Sequence, residues 1–339
     1  MVSTTEVETA PERLLRHAVA GDVDGAFALL DELLADGWSA ERVLAEAVIP
    51  AQQEVGARWH RNEWSVAREH TSTAVVDALV GVLGLRASYG AHATPHGPPV
   101  LVVCAEGEWH TLTARIVAEG LRAQGWPVLL LGGSVPADHL ASAAADADWE
   151  AAVVCCAVPM FLPGARRSIA ALRDEGVPVL ATGRAFGEDD RRALAVGADA
   201  WAPDLISGVE VLSSWRSSPP KLTSAPARSD EAADLVAESD AIVSRAYADL
   251  AQRWPPFAKL KPQAKERTRE DFAYLVQFLA AALVADDARI VAEYLEWLTE
   301  LLERRGVPAS VVPLTLQSVE AALPYELTGA HRLLAAARA

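Results

Sequence analysis

Pro99-Val-Leu-Val-Val-Cys104 is followed by Glu106-Gly-Glu-Trp-His-Thr-Leu-Thr113 and then by Ala114-Arg-Ile-Val-Ala-Glu-Gly-Leu121. The first run is continuously apolar, as expected of a strand buried on both faces. The last has its apolar residues at helical spacing. A strand feeding directly into a helix opens a βαβ unit, and the loop between them lies at the carboxyl end of the strand. Open α/β sheets bind ligands at that edge. His110 sits on this loop, two residues after Glu108. A carboxylate so placed can accept a hydrogen bond from one ring nitrogen and leave the other to bind a metal. Taken alone, the pair reads equally well as a surface histidine with an acidic neighbour.

The alternation continues over residues 97–216. Apolar runs predict strands at 99–105, 127–132, 151–157, 178–182 and 199–202, with helices at about 111–124, 137–146, 164–175, 188–196 and 204–214. Five such units predict a Rossmann-like (flavodoxin-like), five-stranded, doubly wound parallel sheet. Ser134, Cys156, Val158, Gly183 and Arg184 fall at strand ends on the same edge as His110. Small residues in those loops admit a ligand; alternatively, the glycines only shape tight turns. No Gly-x-Gly-x-x-Gly follows the first strand, which argues against a dinucleotide.

Upstream, residues 8–90 predict a four-helix bundle with short connections. The helices run from Ala10 to Ala20, from a cap at Asp22 to Gly37, from a cap at Ser39 to about Arg61 with a kink at Pro50, and from Ser65 to about Ser88. Trp59, His60, Glu69 and His70 gather where the third and fourth helices join. Each by itself reads as a core anchor or a solvated face. His92 and His96 belong to a Gly/Pro linker before the first strand. Residues 217–228 are a second linker by composition. An all-α domain follows over 229–339, with helices expected at 229–254, 263–285, 287–305, 309–322 and 325–337. Its stripes, Phe272, Leu275, Leu279 and Tyr294, Trp297, Leu301, read first as core.

Of 339 residues 51% are hydrophobic, enough for two or three cores, and the net charge of −16 leaves no basic stripe for nucleic acid. The three cysteines, Cys104, Cys155 and Cys156, fall in or beside predicted strands, which argues against a disulfide framework. No signal peptide opens the sequence, and no apolar run approaches the ~20 residues that span a bilayer. A cytoplasmic protein with no membrane segment is expected.

Three features coincide: Glu108-Trp-His110 after the first strand, small residues at the sheet's carboxyl edge, and Trp59 separated by nine residues from Glu69-His70. Together they resemble the cobalamin-binding module of B12-dependent photoreceptors such as the CarH family, over about residues 8–215. The resemblance implies that His110 is the lower axial cobalt ligand, in place of the cofactor's own base, and that Glu108 orients it. The displaced base and tail would enter near Ser134, Cys156, Val158, Gly183 and Arg184. The bundle would cap the upper face, with Trp59 beside the adenosyl group of adenosylcobalamin and Glu69 and His70 at its polar edges. His60, next to the tryptophan, would be placed to ligate cobalt from above after light removes the adenosyl group. The sequence departs from the family twice. Thr113 stands where a glycine is usual, which would narrow the cleft, and Cys156 stands where a serine is usual, which would weaken a tail contact. No winged helix is seen before the bundle, so DNA binding is not carried over.

Residues 229–339 resemble the helical, globin-like half of photocobilins, which pair a B12 module with a biliverdin-binding domain. Thr268-Arg-Glu-Asp-Phe-Ala-Tyr274, Phe278-Leu-Ala-Ala-Ala-Leu283, Tyr294-Leu-Glu-Trp297 and Arg304-Arg-Gly-Val-Pro308 carry this resemblance. No cysteine lies beyond Cys156, so a bilin there would be held non-covalently. Arg269, Asp271, Tyr274, Tyr294, Trp297 and His331 are candidates to line its site. The function so implied is light sensing rather than catalysis, signalled through a change of homo-oligomeric state or of contacts with an unidentified protein. The alternatives are a corrinoid carrier for methyl transfer, a small subunit of a B12 mutase, and a light-independent cobalamin sensor.

Overall fold

The computed structural model describes residues 8–90, 97–222 and 231–338. His92 and His96, residues 223–228 of the second linker, and the first residues of the helix expected from 229 lie outside the described residues. The chain divides into two compact units, residues 1–102 with 111–130, and residues 103–110 with 131–339.

In the first unit, α1 (Ala10–Ala20) opens on a capping box in which Thr9 and Glu12 satisfy each other's groups. It stops at Gly21, whose left-handed φ of 68° lets the chain turn back. Asp22 caps α2 (Val23–Ala35) by accepting from the Gly25 amide, and Ser39 caps α3 (Ala40–Val43) in the same way from Arg42. The kink expected at Pro50 takes a specific form. Helix α3 continues through a π turn, Leu44–Val48, into α4 (Ile49–His60), with the Ile49 amide bonding five residues back to Leu44. Pro50 has no N–H and its ring crowds the preceding turn, so widening that turn keeps the helix unbroken. Helix α5 (Val66–Gly90) completes the bundle and packs against α6 (Thr111–Ala123). Arg115 pairs with Asp77 at 2.9 Å across this contact. Trp64, only 8% exposed, packs with Leu15 and Val55.

The strands are β1 (Val100–Cys104), β2 (Val128–Gly132), β3 (Ala151–Cys155), β4 (Val179–Thr182) and β5 (Ala200–Ala202). They form one five-stranded sheet in the order β2-β1-β3-β4-β5. The strand order reverses between β1 and β3, so the loops after these strands diverge and leave a crevice at the carboxyl edge. β1, β3 and β4 are fully buried, as their unbroken apolar runs require. β3–β4 and β4–β5 pair in parallel, Val153 opposite Leu180 and Ala181 opposite Trp201. Helices α7 (Ala137–Ala145), α8 (Leu162–Asp174), α9 (Arg191–Ala195) and α10 (Leu205–Ser217) connect or follow the strands.

The rest of the second unit is helical: α11 (Glu231–Ala237), α12 (Ser239–Arg253), α13 (Pro262–Ala285), α14 (Arg289–Arg304), α15 (Val311–Ala322) and α16 (Thr328–Ala336). The single helix expected over 229–254 is pinched at Glu238, where ψ opens to 0°. The long α13 lies at the centre of this domain and also packs against α8, α9 and the 3-10 turn Pro159–Phe161 that follows β3. Arg192 of α9, 3% exposed at its side chain, pairs with Asp287 at 2.8 Å and Glu293 at 2.7 Å. A buried guanidinium requires such partners, because its desolvation is otherwise uncompensated.

Candidate functional site

Residues 105–110 form the loop at the end of β1, and their backbone is pinned residue by residue. The Ala105 amide donates to the Cys155 carbonyl at 2.9 Å, and that of Glu108 to the Ala105 carbonyl at 2.9 Å. The Glu106 amide donates to Ser168 Oγ at 3.1 Å, and the Gly107 amide to Ser134 Oγ at 3.2 Å. Gly107 takes a φ of 87°, and Ser134 itself sits in the left-handed region at 52°.

Glu108 is 1% exposed, unusual for a carboxylate, and its two oxygens do different work. Oε2 accepts from the Ala157 amide at 2.9 Å and the Val158 amide at 3.2 Å, with the Cys156 thiol at 3.8 Å. Oε1 accepts from the His110 amide at 3.2 Å and from His110 Nδ1. The β3 loop therefore holds the carboxylate, and the carboxylate holds the imidazole. With Nδ1 committed as a donor, Nε2 is the ring nitrogen that would meet a metal. The His110 side chain is 62% exposed, and Phe161 stands beside it with ring centroids 6.3 Å apart.

The other loops of this edge are shaped by close backbone approaches. At Gly183, φ is 109° and a Cβ would lie 2.2 Å from the Cys156 carbonyl oxygen, so only glycine fits. Arg184 is exposed. A Cβ at Gly132 would meet nothing within 4 Å, which marks open space after β2. Cys156 is fully buried against Glu108, and burial pushes its thiol well up, so it stays protonated. Burial likewise pushes Cys104 up to about 12. These thiols fill the core under the loop. A metal that arrives inside a macrocycle asks the protein for one axial ligand, and an exposed imidazole with its tautomer fixed is such a ligand. The residues fit the lower side of a corrinoid.

In the first unit, Trp59 and His60 are half-buried at the end of α4, and Glu69 and His70 lie in the first turn of α5. Glu69 accepts from Thr73 Oγ1 at 2.9 Å and from His70 Nδ1, and Thr73 accepts from Gln52 Nε2 at 2.9 Å. This chain of bonds ties α4 to α5 and fixes the Glu69 carboxylate. Thr113 is half-buried in the first turn of α6.

In the C-terminal helices, Tyr294 stacks on Phe278 at 4.1 Å and lies 6.0 Å from Trp297. Its hydroxyl donates to the Asp271 carbonyl at 3.4 Å. Burial pushes the Asp271 carboxyl up to about 6, with Arg305 and Arg267 pulling against it and Glu270 adding to it. Burial also raises the Tyr294 phenol. Asp271, Tyr294 and Trp297 thus come together with Phe278. Arg269 lies over the Tyr247 ring at 4.6 Å, Tyr274 is 44% exposed, and His331 donates from Nε2 to the Pro324 carbonyl at 3.2 Å. Sequence reasoning did not single out Ser168, Gly164, Phe161 or the amides of Ala157 and Val158. Backbone donors leave no signal in a sequence, and Gly164 differs in no local way from other helical glycines.

The bundle and the α/β domain are the two halves of a B12-binding module. One family model described as B12 binding domain matches residues 11–83, and a second with the same description matches 98–209. A third, described as Phycobilisome protein, matches residues 220–337. The module is CarH-like: the chain is 33% identical over 136 residues to the HTH-type transcriptional repressor CarH of Myxococcus xanthus. That match covers 40% of this chain and 44% of the relative, so the chain spans under half the length of the curated relative it matches. Among solved structures, the monomethylamine corrinoid protein of Methanosarcina barkeri superposes with a TM-score of 0.52 at 20% identity, over 59% of this chain and 96% of that one. That likeness is one of fold. Among the described residues no helix is long and apolar enough to cross a membrane.

Proposed function

We propose that this protein is a cytoplasmic light sensor that binds adenosylcobalamin with His110 as the lower axial ligand and biliverdin without a covalent bond. The observation that carries the reading is the Glu108–His110 pair, pinned to the Ala157 and Val158 amides at the switch point of the sheet. Adenosylcobalamin supplies a cobalt–carbon bond that light breaks. The chain's own residues do the rest. Glu108 fixes the His110 tautomer, and Ser134, Cys156, Val158, Gly183 and Arg184 surround the place for the displaced base and tail. Trp59, Glu69 and His70 hold the adenosyl group, with Glu69 steadied by Thr73. His60, half-buried beside Trp59 at the end of α4, would be a further residue to hold the cobalt. The likeness to CarH and the Trp59…Glu69-His70 spacing support this assignment over a methyl carrier, which has no use for an adenosyl pocket.

For the C-terminal domain, the support is the match to the phycobilisome model and the half-buried Asp271, whose carbonyl accepts from Tyr294 of the Phe278–Tyr294 stack. A half-buried carboxyl can bond pyrrole nitrogens, and stacked rings can wall a flat chromophore. The sensor signals through its homo-oligomeric state or a protein partner and catalyses no reaction; the net charge of −16 disfavours nucleic acid as that partner. Absorbance spectra of protein reconstituted with adenosylcobalamin and biliverdin, in the dark and after green light, test the reading. A red-shifted bilin band in the dark and a cobalamin band that changes irreversibly on illumination are expected. A light-stable cobalamin spectrum with free-bilin absorbance would favour the carrier instead.

A further inference from the structure

The first turns of α8 determine where the loop carrying His110 and Glu108 can lie. Gly164, Arg167 and Ser168 occupy one face of the helix, three and four residues apart. Ser168 is fully buried, and its hydroxyl accepts the Glu106 amide at 3.1 Å. Arg167 Nε reaches the Glu106 carboxylate at 2.7 Å. At Gly164 the helix lets the Glu106 peptide come into direct contact. A Cβ there would fall 1.8 Å from the Glu106 carbonyl oxygen and 2.8 Å from its carbon. No flexible side chain is involved, so relief would require moving the backbone. That backbone cannot shift at Glu106 alone, because the amides of residues 105, 107 and 108 are each held elsewhere. A displacement passes to Glu108, whose separation from the Ala157 and Val158 amides sets the height and tilt of the imidazole.

We propose that Gly164 and Ser168 are positioning residues for the axial ligand: α8 is the seat on which the β1 loop presents His110 to cobalt. The proposal rests on the reading of His110 as that ligand. It goes beyond that reading because it assigns a role to two residues that meet the loop at Glu106.

The test uses the full chain and cob(II)inamide, a corrinoid lacking the nucleotide base, so that any axial nitrogen comes from the protein. Paramagnetic resonance reads nitrogen splitting on cobalt, and isothermal titration reads affinity. Wild type should show nitrogen splitting that His110→Ala abolishes. Ser168→Ala removes one hydroxyl from a buried site and should keep the fold, seen as an unchanged circular dichroism spectrum. It should bind about tenfold more weakly, the loss of one well-made hydrogen bond, with splitting retained by only part of the bound corrinoid. Gly164→Ala should lose affinity further, about a hundredfold. A merely structural role would lower the amount of folded protein without altering the splitting of what remains bound. Should Ser168→Ala fail to fold, Ser168→Cys keeps the volume but offers a poor acceptor, and the same partial splitting is expected. Full splitting and affinity within twofold of wild type in the folded serine variant would overturn the proposal. Absence of nitrogen splitting in wild type would instead remove the His110 reading.

Discussion

Replacing Glu108 by glutamine exchanges one oxygen for an NH2 group at a buried crossroads and makes a sharp forecast. The carboxylate accepts on both oxygens, from the Ala157 and Val158 amides on one and from His110 on the other. An amide can accept on one side only. Turning its NH2 toward the β3 loop would leave two buried N–H groups facing a donor, at about 1–3 kcal/mol each. Turning its NH2 toward His110 costs less, because it sets only one N–H, the His110 amide, against a donor, and the imidazole can answer by moving its proton to Nε2. The glutamine should settle that way. The ring then presents Nε2–H, which cannot ligate a metal. Loss of a partner that orients a ligating histidine typically lowers metal affinity by about 10–100-fold. Glu108→Gln should therefore bind cob(II)inamide in that weaker range with no nitrogen splitting, while losing about 1 kcal/mol in urea unfolding for the one N–H left without an acceptor. Glu108→Ala should lose the splitting and also about 2 kcal/mol or more of stability, since both amides are then orphaned. Nitrogen splitting that persists in Glu108→Gln, with affinity within twofold, would refute the reasoning.

Other outcomes follow from single contacts. Gly183→Ala should destabilise by about 2–4 kcal/mol in a urea titration, because φ is 109° and the new Cβ would strike the Cys156 carbonyl. Arg192→Met should cost about 3 kcal/mol by the same assay, because Asp287, 12% exposed at its side chain, loses one of its cations; a loss under about 0.5 kcal/mol would show the pairs to be incidental. The Asp271 carboxyl, pushed by burial from 3.8 to about 6, binds its proton more tightly folded than unfolded. Its contribution is present below pH 4 and is lost as pH rises through 6, about 3 kcal/mol in all. Asp271→Asn should flatten that stretch of the stability–pH curve, and a curve that keeps its slope would contradict the assignment.

The sheet was legible because buried parallel strands read as unbroken apolar runs, and Val100 to Cys104 and Ala151 to Cys155 are two such runs. The bundle was legible through its caps, at Asp22, Ser39 and Ser65. The form of the break near Pro50 was not, since proline forbids one hydrogen bond without saying which turn will widen. Of the candidate site, Glu108 and His110 could be read from adjacency in one loop. The groups that anchor Glu108 could not, because two are peptide amides on another strand's loop. Gly164 and Ser168 lie more than fifty residues downstream of Glu106, and only the fold reveals that they touch it. Trp64 and Trp59 look alike in sequence, five residues apart, yet only Trp64 is enclosed by Leu15 and Val55.

Helix α13 carries Asp271, Tyr274 and Phe278 along its length and rests on α8, α9 and the turn at 159–161 that follows the Val158 amide. The two regions thus share a structural member, and thermodynamics gives that sharing a reciprocal form. If occupancy at Asp271 changes corrinoid affinity by some factor, corrinoid binding must change affinity at Asp271 by the same factor. An experimenter holding only a bilin titration, run with and without corrinoid, would therefore already possess the size of the opposite effect.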